Sequence, residues 1–149
     1  MLDALCPQRI DNTYRGYKLA LWLFGLVVFM RIAQGLVCIF DGYSVAMSAD
    51  GIPLDTYTPA GAQAVVSMFA LLGLFHVIIG LVCVLVLLRY RGMVPFMFAL
   101  LILEFLGRRL ILQLLPIART GVPPGSIVNL VVLAVMIVGL VLSLWRRGE

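Results

Sequence analysis

Glu104, Arg108 and Arg109 fall within Leu103-Glu104-Phe105-Leu106-Gly107-Arg108-Arg109, a run of charge inside an otherwise apolar segment. Arg31 and His76 lie inside two other apolar runs. Carboxylate, guanidinium and imidazole groups hold anions, form charge-assisted hydrogen bonds and pass protons. On a helix Arg108 shares the face of Glu104, one turn along. Arg109 is turned about 100° away and shares a face with Gln113. Gln34 follows Arg31 by one turn, and Asn129 lies in a fourth apolar run.

Glu104 has two ways to be neutralised: it closes on Arg108, or it bridges to Arg31. Either leaves about two positive charges without an internal acid, and a buried charge needs a partner. The internal candidates are Asp41, Asp50 and Asp55, all in the segment 41–60, with Asp41 nearest in sequence. The external candidates are a lipid phosphate, a small anion or a carboxylate of another subunit. Two readings of the cluster stand side by side: a structural ion network that fixes helix register, or an anion or headgroup site. His76 is the single histidine. It is either a neutral imidazole bonded to backbone or Glu104, or a proton-linked group. With no second histidine, matching cysteine or methionine at ligand spacing, no metal or haem site is expected. A Gly-rich phosphate loop, a nucleophile elbow and an HExxH motif are absent from the sequence, so no catalytic residue is assigned and the preferred reading is non-enzymatic.

The elements that position these groups follow from composition. Of 149 residues, 63% are hydrophobic and 12% charged, against about 45–50% and about 25% in soluble domains. The reading is an all-α polytopic membrane protein, a four-transmembrane-helix bundle forming a single domain over residues 1–149. Its spans cover about 17–40, 61–88, 93–115 and 126–144, each long enough for a hydrocarbon core of about 30 Å. Residues 1–16 read as a polar lead-in, and 41–60 as the one substantial loop, rich in Gly, Asp and Pro turn formers. The first run is too long for a signal-peptide core and is interrupted by Arg31. Val37 before Cys38 argues against a lipoprotein box. Cys6, Cys38 and Cys83 form no CxxC pair and read as packing residues.

The net charge of +4 and pI near 9.3 come mainly from basic residues at the ends of apolar runs. That footprint orients a membrane protein rather than binding nucleic acid. Arg9, Arg15, Lys18, Arg89, Arg91, Arg146 and Arg147 fall on one side, and only Arg119 with the three-Asp loop on the other. Both termini are therefore expected in the cytoplasm, with the loop 41–60 outside. A charge facing lipid at mid-depth costs about 2.5–3.5 kcal/mol or more, so the polar groups should face one another or a pocket open outward. Gly25, Gly35, Gly73, Gly80 and Gly139 let helices approach closely.

This order of features resembles the DoxX-like superfamily of small four-helix bacterial membrane proteins. The resemblance rests on Arg31 in the first span and Gly51-Ile52-Pro53 in the loop. It rests also on Gly73, Gly80 and Arg89 in the second span, and on Gly107-Arg108 in the third. It covers most of the chain and implies architecture, a bacterial inner-membrane location and an association with redox-linked complexes. Many such proteins carry an acid in the second span, where this chain has His76.

The expected function is that of a small integral membrane accessory subunit whose Arg/Glu/His cluster docks an anionic headgroup or an acidic partner. The alternatives are a small anion or proton-coupled transporter, and a subunit of a quinone-linked redox complex. No cofactor is assigned; a lipid or quinone is the expected bound molecule. The expected partners are membrane lipids, with further copies of the chain or a larger membrane complex.

Overall fold

A computed structural model describes residues 12, 14, 16–121 and 123–145. Most of the lead-in, with Cys6, Arg9 and Arg15, lies outside the described residues, as do Arg146 and Arg147. Among the described residues every regular element is helical. Four long helices carry the four apolar runs: α1 (Lys18–Phe40), α2 (Pro59–Arg89), α3 (Val94–Leu114) and α4 (Pro124–Leu144). α1, α2 and α4 are each long and apolar enough to cross a membrane. α3 is long enough but carries Glu104, Arg108 and Arg109.

The helices begin where the chain can supply a start. Thr58 accepts the Gly61 N–H at 3.2 Å through its hydroxyl and caps α2. Pro59, Pro95 and Pro124 sit in first turns, where a missing N–H costs nothing. The outside of the molecule is apolar: Trp22, Phe29, Leu103 and Leu114 are all exposed. This inverts the surface of a soluble protein and suits helices whose backbone polar groups are satisfied internally.

α1 packs most extensively on α2, and α4 lies against α1 and α3. α2 and α3 are joined by the tight Arg91–Met93 turn yet make few contacts with each other. The α1–α2 crossing is set by glycines. A Cβ on Gly35 would lie 2.7 Å from the Gly73 carbonyl oxygen, and one on Gly73 would lie 2.5 Å from that of Gly35. Only Gly permits this backbone-to-backbone approach. Gly139 likewise receives the Phe98 ring.

Toward the Arg91–Met93 turn the four helices share one apolar core, including Phe24, Val86, Val94, Phe98, Leu101 and Met136. Phe24 and Phe98 meet edge to face with ring centroids 5.1 Å apart. Cys38 and Cys83 are buried and unpaired, as packing residues.

The opposite, loop end has its own small core. Gly42–Ser44 and the π-helical turn Val45–Ala49 fold back across the helix ends. Ala46, Ile52 and Leu54 are buried there against Ala62, Val65, Val66 and Phe69. Gly51 adopts φ +68°, and its carbonyl accepts from the Thr120 N–H at 3.0 Å and the Thr120 hydroxyl at 3.3 Å. The loop before α4 is thereby laced to the loop before α2.

Candidate functional site

The glycine crossing positions the first part of the site. Gly35 lies one turn from Arg31 on the same face of α1, and its Cβ position is 3.1 Å from the Cβ of His76. Arg31 and His76 are thus brought together at the α1–α2 seam. α3 brings Glu104 to the same place. Arg31 Nη2 donates to Glu104 Oε2 at 2.6 Å, and His76 Nε2 lies 4.0 Å from Glu104 Oε1. Of the two pairings open to Glu104, the fold takes the long-range one to Arg31, and no Glu104–Arg108 ion pair forms. His76 is only 3% exposed, and neither ring nitrogen has a hydrogen-bond partner among the described residues. Arg31 Nε is also buried and unpartnered. Such orphaned groups are expensive unless they have a role.

The second part lies at the loop end. Arg108 sits over the ring of Phe105, with the guanidinium carbon 5.7 Å from the ring centroid. Arg109 and Gln113 are exposed. Asp50 is half-buried and within electrostatic reach of Arg119 and Arg108. Burial pushes the Asp50 carboxyl above its ordinary range, against the opposing pull of Arg119 and then Arg108.

Asp41, taken from sequence as the acid nearest the cluster, is instead exposed, as is Asp55. The reason is geometric. Asp41 terminates α1, whereas the chain from Gly42 to Ile52 turns back over the helix ends and carries Asp50 with it. Gln34 is exposed and Asn129 half-buried, and neither side chain has a hydrogen-bond partner among the described residues. Arg119 joins the site although the sequence marked it only as a topology charge; the signal was its place in the other loop of the same end.

The sequence thus presents one cluster and the fold divides it in two. A compact Arg31–Glu104–His76 triad sits at the helix seam. Toward the loop end lie Arg108, Arg109 and Arg119, with the half-buried Asp50 within electrostatic reach of Arg119 and Arg108. The triad neutralises its own charge; the loop-end group does not. No group of three or more His, Cys, Asp or Glu suited to a metal ion occurs among the described residues. No protein-family model, curated protein or solved structure matches the chain.

Proposed function

We propose that the chain is a small polytopic protein of the bacterial inner membrane, DoxX-like in architecture, with four spans and both termini in the cytoplasm. α3 crosses with the other three helices, its charges turned toward the triad and the loop end. The protein acts without catalysis, as an accessory subunit that docks an anionic headgroup at the loop-end arginines. The observation that carries this reading is the pairing of Glu104 with Arg31. It removes the single acid of α3 from reach of Arg108 and Arg109, which then have no carboxylate at ion-pair distance among the described residues. Uncompensated cations near a membrane surface are what a phosphate group satisfies.

Native mass spectrometry of the gently extracted protein tests this, with wild type compared to Arg108→Ala/Arg109→Ala. A phospholipid retained by wild type and lost from the variant is the expected result. A bare homo-oligomer in both forms overturns the reading and turns attention to anion flux in liposomes. A co-purifying acidic subunit lost from the variant replaces the lipid with a protein partner at the same arginines.

A further inference from the structure

The triad at the helix seam holds polar atoms that headgroup docking does not use. His76 sits on α2 between Gly73 and Gly80, on the stripe that α1 covers with Gly35 and Ile32. It is buried, and both ring nitrogens lack a hydrogen-bond partner among the described residues. Glu104 gives Oε2 to Arg31 at 2.6 Å, while its Oε1 stands 4.0 Å from His76 Nε2. That gap is about 1 Å too long for a hydrogen bond, and a turn of the flexible Glu104 side chain closes it. A neutral imidazole carries a proton on one nitrogen only. An imidazolium carries one on each, and its Nε2–H is then a donor facing a carboxylate. The charged groups within reach of His76 are Arg31 from α1 and Glu104 and Arg108 from α3. The guanidiniums oppose a further positive charge and the carboxylate favours it, so proton uptake depends on Glu104. The Glu104 side chain keeps 31% of its surface exposed, which gives a proton a way to the seam along the carboxylate.

We propose that the triad is a proton-operated latch: one proton taken up by His76 draws Glu104 Oε1 onto the imidazolium Nε2–H and loosens the bond that Arg31 makes to Oε2. The proton comes from the aqueous phase by way of Glu104, and only hydrogen bonds are exchanged. One carboxylate then serves two cations on two helices, and the tether of α3 passes in part from α1 to α2. It does so across the interface where α2 and α3 now make few contacts, so α3 is free to respond. The packing of α3 thus follows acidity, through a charge change at one buried imidazole. The latch stands apart from the loop-end arginines and does not depend on what docks there.

The test uses the full protein in bilayer nanodiscs, purified without a histidine tag and labelled with nitrogen-15 in histidine and arginine. His76 is the single histidine, so its imidazole signal needs no assignment. Nuclear magnetic resonance follows it from neutral pH to the most acid buffer in which the protein stays monodisperse. Wild type is expected to pass to the doubly protonated imidazole, with the Arg31 guanidinium signal changing at the same half-point. Glu104→Gln should need about tenfold more protons for half-uptake and Arg31→Gln about tenfold fewer, as one charge-assisted contact allows. Opposite shifts separate the latch from a loosened fold, which moves both variants toward free histidine. A shared shift of that kind overturns the latch. So does a wild-type imidazole that stays neutral throughout, or an Arg31 signal indifferent to His76. These last two are read in wild type alone, and they hold even where a variant fails to fold.

Discussion

Arg31 of α1 and Glu104 of α3, 73 residues apart in sequence, are joined by a 2.6 Å charge-assisted hydrogen bond between the two helices. Among the described residues it is the only ion pair between α3 and α1. Glu104→Gln is expected to destabilise by about 2–3 kcal/mol, below the 3–5 kcal/mol typical of a fully buried pair, since the Glu104 side chain keeps 31% of its surface exposed. Arg31→Leu alone should cost a similar amount, and the Arg31→Leu/Glu104→Leu double variant less than either. Thermal unfolding in detergent, read as a double-mutant cycle, measures this; additive losses would show that the pair does not couple the helices.

The Gly35–Gly73 contact predicts a steric response. Gly73→Val places branched carbons where the Gly35 carbonyl now sits, and overpacking of this kind costs about 1–3 kcal/mol. Gly107, with open space around its Cβ position, should accept Ala without loss. Resistance to unfolding by sodium dodecyl sulfate compares the two directly.

His76 invites a substitution that would be damaging at most buried polar positions. Its ring nitrogens make no hydrogen bond among the described residues, so His76→Leu removes desolvated polar atoms without orphaning a partner. The variant should fold at least as stably as wild type. A large loss would reveal that the imidazole is bonded in the membrane.

Asp50 gives a pH dependence of definite sign. Burial raises its carboxyl above the ordinary 3.8, so the folded form holds the proton more tightly than the unfolded chain. That contribution is full below pH 3.8 and is lost as pH rises through the raised value. In delipidated protein, Asp50→Asn should therefore melt above wild type at neutral pH, with the gap closing toward acid. A wild type more stable than the variant at neutral pH would mean that Asp50 is ionised and paired.

Much of this arrangement is legible in the sequence, for reasons that differ by residue. The long helices announce themselves as apolar runs bounded by Pro, Gly and charge, and their ends fall within about two residues of those signals. Gly35, Gly73 and Gly139 are recognisable as contact points because few other roles suit Gly in an apolar helix. The choice of Arg31 over Arg108 for Glu104 is not legible: the local i, i+4 pairing looks equally good until the helices are assembled. Asp50 is obscured for another reason. A loop without periodicity does not disclose which of its three acids turns inward, and here the burial of Ala46 and Ile52 decides it.

The sparse contact between α2 and α3 bears on how any headgroup would arrive. On the docking reading, a lipid that enters between these loosely associated helices would come from the bilayer and never enter bulk water. Its reservoir is two-dimensional, and the quantity governing occupancy is its mole fraction among neighbouring lipids. Diluting a vesicle suspension tenfold would leave such a site as full as before, whereas diluting the docked lipid within the same vesicles would empty it.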